Sequence, residues 1–186
     1  MKFAVVLHNV RSVHNVGSIF RTADAAGAGK IYLCGITPAP FDRLKTLRPD
    51  FAKVALGAHE YVAWESAKNT AAVLKQLKRE GYHVFAIEQS RTAIPYFNLP
   101  RASLVHGKFC LVLGSEVDGL PPSLMRLADK TLEIPMFGKK ESLNVAVAFG
   151  IVAFGLRFLG RTLLGRGHGV VPSRKWTRKK AGRKER

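Results

Sequence analysis

Short runs of apolar residues alternate along the chain with longer stretches whose apolar positions recur every three to four residues. The first pattern is that of buried strands and the second that of helices with one covered face. Residues 3–7 (Phe3-Ala4-Val5-Val6-Leu7) read as a strand, and 13–26 as a helix stopped by Gly27 and Gly29. A second strand follows at 30–34. Pro38, Pro40 and Pro49 make 35–59 a loop with a short helix near 49–56, and 61–63 reads as a brief strand. Ser66 is the expected N-cap of a helix running through Glu80, with Ala72, Val73, Leu74 and Leu77 as its apolar face and Gly81 as its stop.

Residues 83–87 form the next expected strand. The unbroken run Phe109-Cys110-Leu111-Val112-Leu113 reads as a strand covered on both faces. Pro121-Pro122-Ser123 opens a short helix to about 128, 131–134 is the last strand, and Ser142 to about 163 is the final helix. Strands alternating with helices predict an α/β fold, a parallel sheet flanked by helices. Length sets one domain, expected at 1–160, and the Gly-, Arg- and Lys-rich residues 161–186 read as a basic, mobile tail.

Charge changes the picture more than composition does. Thirty Lys and Arg stand against 13 Asp and Glu, for a net charge of +17. Ten of those basic residues lie from Arg161 onward, but the body is basic without them. Such an excess draws polyanions, nucleic acid or an anionic membrane, and is silent about the fold. Residues 143–159 are apolar but carry Asn144, Gly150, Gly155 and Arg157, and fall short of the roughly 20 clean residues a membrane span requires. A buried or interface helix is the expected reading.

Cys34 and Cys110 sit far apart in apolar runs, and no C-x-x-C or zinc-like histidine spacing occurs, so no metal site is expected. The opening apolar run is too short and too soon polar, at His8, for a signal peptide to be expected, and with free thiols this fits a cytoplasmic protein.

Three segments could carry chemistry. Asn15-Val16-Gly17-Ser18-Ile19-Phe20-Arg21-Thr22-Ala23 places an amide and a guanidinium around a helix start, as a pocket or merely as a cap and a surface arginine. Leu113-Gly114-Ser115-Glu116-Val117-Asp118-Gly119-Leu120 follows the most buried strand, where open parallel sheets bind ligands. Its carboxylates would repel phosphate, and neither a P-loop nor a dinucleotide glycine fingerprint is present. The turn suits a ligand with hydroxyls and positive charge, or is structural. In Ile134-Pro135-Met136-Phe137-Gly138-Lys139-Lys140-Glu141-Ser142-Leu143-Asn144-Val145-Ala146, Ser142 is the expected N-cap, and Asn144 in the first turn of the apolar helix needs a hydrogen-bond partner, from ligand or from protein.

In this order the three segments resemble the signature motifs of the SpoU (TrmH-like) family of RNA methyltransferases, within the SPOUT superfamily. The signatures read N-x-G-x-I-x-R-T-A, L-G-S-E-x-x-G-L and I-P-M-x-G-x-x-x-S-L-N-V-A-V-A, and the likeness extends from residue 3 to about 158. The resemblance implies an α/β fold with a deep C-terminal trefoil knot, an arrangement that general rules of chain connection would not suggest. It also implies a homodimer, consistent with the small residues Ala146, Ala148, Gly150 and Ala153 in the final helix. Its activity would be an S-adenosylmethionine-dependent methylation of a ribose 2′-hydroxyl in tRNA or rRNA, with no DNA or membrane partner.

By the same resemblance the catalytic set is Asn15, Arg21, Glu116, Ser142 and Asn144. Cofactor contacts fall on Gly114, Ile134 and Leu143, with Leu113, Met136 and Glu88 as further walls. The turns led by Gly114, Ile134 and Ser142 should then converge on one pocket beside Arg21. The family scheme gives Arg21 the hydroxyl proton. A guanidinium whose pKa exceeds about 12 is a poor base, so an electrostatic clamp is the competing role. The alternatives to ribose methylation are a base methyltransferase and a non-enzymatic RNA-binding or assembly factor on the same fold. A separate N-terminal RNA-binding domain, present in some relatives, is not expected within the body.

Overall fold

The computed structural model describes residues 2–104 and 107–162. Most of the expected basic tail, 163–186, lies outside the described residues. Seven parallel strands, β1 (Lys2–His8), β2 (Lys30–Cys34), β3 (Ala63–Ala67), β4 (Tyr82–Ile87), β5 (Ile94–Pro95), β6 (Lys108–Leu113) and β7 (Lys130–Glu133), form one sheet in the order β3-β2-β1-β6-β4-β7-β5. The helices are α1 (Val13–Ala26), α2 (Pro49–Ala55), α3 (Thr70–Arg79), α4 (Pro122–Met125) and α5 (Val145–Thr162).

Successive strand residues point to opposite faces, so each central strand feeds two cores. Phe3, Val5, Leu7, Phe109, Leu111 and Leu113 join the core that α1, α2 and α5 cover. Ala4, Val6, Cys110 and Val112 join the second, under α3 and α4. Burial on both faces is why these strands read as unbroken apolar runs. Each fully buried Leu or Phe contributes roughly 1.5–3 kcal/mol of transfer free energy. Among the described residues no helix is long and apolar enough to cross a membrane.

α1 keeps its expected bounds, with Ser12 accepting from the Asn15 N–H and Gly27 closing the helix in the left-handed region. Four expectations shift. The brief strand at 61–63 is instead β3, and Ser66 lies inside it rather than capping a helix. Asn69 caps α3 by accepting from the Ala72 N–H. β3 is an edge strand with little burial on either face, so its sequence carries no alternation, and pairing with β2 defines it. α5 begins at Val145, not Ser142, because Asn144 takes the cap position. α4 closes at Met125, short of 128. β5, two residues long, and the 3-10 turns Ala58–Glu60, Tyr96–Asn98 and Arg101–Ser103 carry no pattern long enough to read.

Candidate active site

In a parallel sheet all strands end on the same edge, and ligands bind beyond their carboxyl ends. β6, β4 and β7 are neighbours in the sheet, so the segments 114–121, 88–93 and 134–144 that leave them meet there. They enclose a cavity of about 470 Å³. Its apolar wall is Ile87, Leu113, Leu132, Ile134, Met136 and Leu143, and its polar groups include Glu88, Gln89, Ser115, Glu116, Ser142 and Asn144.

The turn after β6 is held by reciprocal backbone bonds between Ser115 and Gly119, while Ser115 Oγ accepts from the Asp118 N–H at 2.9 Å. A side chain at Gly114 would put its Cβ 2.1 Å from the Gly119 carbonyl carbon, so only glycine lets the turn close. Gly119 has φ 63°, and a Cβ there would come within 2.5 Å of the Glu88 carboxylate. That carboxylate accepts from the Leu120 N–H at 2.9 Å, tying the β4 end to the turn. Gln89 Nε2 donates to the Glu141 carbonyl and ties the third segment to the same strand end.

Glu116 docks on the N-terminus of α1. Its carboxylate accepts from the Arg11 N–H at 3.0 Å, the Ser12 N–H at 3.2 Å and Asn15 Nδ2 at 2.8 Å. Unpaired N–H groups at a helix start, with the positive end of the helix dipole, form a ready anion site. Partial burial works to raise the Glu116 pKa, but the bonds from Arg11, Asn15 and Ser12 outweigh it and hold the carboxyl below its ordinary range. Arg11 also pairs with Asp118 at 3.3 Å, an exposed contact of small energetic weight.

With Asn15 Nδ2 committed to Glu116, its Oδ1 accepts from Asn144 Nδ2 at 3.0 Å. Asn144 Oδ1 in turn accepts from the Ala146 N–H at 2.9 Å and stands 3.4 Å from that of Val147, at the head of α5. A carboxylate can only accept, so it sets the orientation of both amides in the chain. The relay Glu116–Asn15–Asn144 therefore links all three signature segments.

Every cofactor position expected from the resemblance, Gly114, Ile134, Leu143, Leu113, Met136 and Glu88, lines the one cavity, as do Glu116, Ser142 and Asn144. Asn15 reaches its edge through Asn144. Arg21 does not meet the expectation of a place beside it. Six residues beyond Asn15 on α1, and so about 9 Å along the helix axis, Arg21 is exposed and does not line the cavity of its own chain. Sequence reasoning passed over Gln89 and Arg11. Their partners lie far along the chain, and nothing local marks them.

At the ends of β1 and β2 a second polar group fixes the approach to α1. His8 Nδ1 lies 2.7 Å from Thr70 Oγ1, Asn9 Nδ2 lies 3.2 Å from His8 Nε2, and the Ile36 N–H donates to Asn9 Oδ1. Asn9 adopts φ 55°, a left-handed conformation that asparagine tolerates. Burial lowers the His8 pKa. It also pushes the Cys34 thiol up to about 11 and raises that of Cys110 further, so both are inert, free thiols.

An open parallel sheet with a cavity beyond the carboxyl ends of three strands, walled by apolar side chains and glycine turns, defines an α/β protein built to hold a small ligand. The chain belongs to the SpoU rRNA Methylase family, whose model matches residues 2–154. Over 150 residues it is 36% identical to the 23S rRNA (guanosine-2′-O-)-methyltransferase RlmB of Ralstonia nicotianae, covering 81% of this chain and 56% of that protein. It is 30% identical to the tRNA (guanosine(18)-2′-O)-methyltransferase of Aquifex aeolicus, over 81% of this chain and 66% of the relative. The crystal structure of the AdoMet-bound rRNA methyltransferase from Sinorhizobium meliloti superposes with a TM-score of 0.75 at 31% identity, covering 87% of this chain and 57% of that one. The chain thus spans little more than half the length of the RlmB proteins it matches.

Proposed function

We propose that the protein transfers a methyl group from S-adenosylmethionine to a ribose 2′-hydroxyl of tRNA or rRNA. The observation that carries this reading is the convergence of all three signature segments on one cavity, locked together by the Glu116–Asn15–Asn144 relay. The residues present suit the cofactor. An apolar wall of Leu113, Ile134, Met136 and Leu143 accepts an adenine ring, glycine turns expose backbone groups to it, and the Glu88 and Glu116 carboxylates favour a sulfonium charge. When bound there, the cofactor supplies an electrophilic methyl carbon.

The chain's own residues align the acceptor oxygen and manage its charge. Glu116 is ionised, but its oxygens already accept three hydrogen bonds, so it positions Asn15 rather than acting as a base. Ser142 and Asn144 stand at the cavity wall, where they can orient the ribose. Arg21 serves as a clamp that holds phosphate and stabilises the developing alkoxide, while the proton leaves to water or a phosphate oxygen.

We also read the fold as knotted and dimeric. β7 lies between β4 and β5 although it follows both in the chain, so the segment that leads into α5 re-enters between strands already laid down. Val147 and Ile151, 50% and 36% exposed, share one face of α5 with the stacked Phe154 and Phe158. α1 packs against α5, so we read Arg21, which does not line the cavity of its own chain, as acting across that interface on the site of the second copy. Free thiols and an RNA substrate fit the cytoplasm.

The deciding experiment incubates the full chain with methyl-labelled S-adenosylmethionine and unmodified tRNA or rRNA, then digests the product with ribonuclease. Label in nuclease-resistant dinucleotides supports ribose methylation, label in a free base indicates a base methyltransferase, and binding of RNA without transfer of label indicates an assembly factor.

A further inference from the structure

The third segment carries an aromatic residue for which the fold has no use. Met136 turns into the cavity, and the next residue, Phe137, turns out and is 98% exposed. Neighbouring Cα atoms are about 3.8 Å apart, so the ring stands at the cavity rim. Beside it, a Cβ at Gly138 would meet nothing within 4 Å, and Lys139 and Lys140 are exposed. Among the described residues none of these three side chains makes a hydrogen bond, ion pair or ring contact. The segment is nevertheless anchored at both ends, by β7 on one side and by the Gln89–Glu141 bond and the Asn144 cap on the other. All three residues occupy positions that the third signature leaves unspecified.

A lone exposed phenylalanine is ordinary on a protein surface. One flanked by two lysines at the mouth of a cavity that must admit a ribose from RNA is different. A duplex shows its 2′-hydroxyls only along a shallow minor groove, whereas a nucleotide that leaves the stack can carry its ribose into a cavity, and unstacked bases are commonly held on aromatic rings with basic groups on the adjoining phosphates.

We propose that Phe137 is a stacking platform for a base next to, or belonging to, the methylated nucleotide, with Lys139 and Lys140 holding the neighbouring phosphates. The substrate class is therefore an unpaired segment of RNA rather than a continuous duplex. This inference rests on the RNA-methyltransferase reading above.

The test compares wild type, Phe137→Ala, Phe137→Leu, Phe137→Tyr and Lys139→Ala/Lys140→Ala in the full chain. Affinity is measured by anisotropy with a labelled single-stranded RNA 12-mer of mixed sequence and with its duplex. Phe137→Ala and Phe137→Leu should both weaken single-strand binding about tenfold, the loss of one base–aromatic stack, while Phe137→Tyr retains it. The double lysine variant should lower the slope of log K against log salt by about 1.4, two phosphate contacts on a single strand. Calorimetric affinity for S-adenosylmethionine and the sedimentation coefficient should not change.

Wild-type affinity in Phe137→Leu overturns stacking, because leucine keeps the apolar surface but not the ring. A changed oligomeric state in Phe137→Ala overturns it in favour of a contact between copies, and tighter binding of the duplex than of the single strand overturns the substrate class. If wild type neither binds nor methylates RNA, the underlying reading fails with it. If wild type does both and Phe137→Ala matches it, only the stacking proposal fails.

Discussion

The side-chain amide of Asn144 donates to Oδ1 of Asn15 across 3.0 Å, joining residues 129 positions apart in the chain. Because Glu116 holds the other end of Asn15, one acceptor-only carboxylate orients two amides and, through Asn144, the first turn of α5. The start of α1, the turn after β6 and the cap of α5 are thereby parts of one device.

Breaking that device in its middle should separate folding from catalysis. Asn144→Ala removes the α5 cap at a cost of about 1 kcal/mol. The melting temperature should fall by roughly 2–4 °C, while methyl transfer falls far more steeply, by at least about tenfold. Calorimetry and a single-turnover assay on the same preparation read both. Equal proportional losses of stability and rate would reduce Asn144 to a cap.

Glu116 should govern acid stability. Its folded pKa is held below the ordinary carboxylate value of 4.5, so its contribution is complete above that value and is lost as pH falls through the folded one. In Glu116→Gln an amide N–H must face backbone N–H groups, so the variant should be less stable at neutral pH and less sensitive to acid. Melting curves from pH 7 to pH 3 test this; parallel curves for the two proteins would rule it out.

His8 should act in a higher pH range with the same sign. Burial depresses its folded pKa below 6.5, so the neutral ring stabilises the fold fully above that value and progressively less as pH falls through the folded pKa. Protonation also places a ring N–H against the Asn9 amide nitrogen, 3.2 Å away. His8→Gln should flatten the change in melting temperature between pH 8 and pH 5.

Gly114→Ala should abolish cofactor binding, because its Cβ would fall 2.1 Å from the Gly119 carbonyl carbon and the turn must open. Titration calorimetry with S-adenosylmethionine reads the loss directly. Measurable affinity near that of wild type would mean that the turn does not shape the ligand site.

Arg21→Ala should do the reverse, leaving cofactor affinity intact and cutting methyl transfer by about 100-fold or more, the order of effect of one charge-stabilising donor. Unchanged turnover would remove Arg21 from the mechanism.

Much of this protein was legible in one dimension because its determinants are local. β1, β2 and β6 show as unbroken apolar runs since both their faces are buried, and α1 shows its period and its stop between Val13 and Gly27, although its cap at Ser12 emerged only from the structure. The signature segments were equally readable, as small and polar residues placed just after strands. What the sequence could not express is distance between remote residues. β3 exists because β2 offers it an edge, and α5 starts three residues late because Asn144 finds both a cap to make and a partner in Asn15. The docking of Glu116 on the N-terminus of α1, and the position of Arg21 off the cavity of its own chain, follow from how the helices pack across the sheet. Propensity and pattern act over a few residues. The order β3-β2-β1-β6-β4-β7-β5, which brings three loops to one cavity, is a property of the whole packed chain.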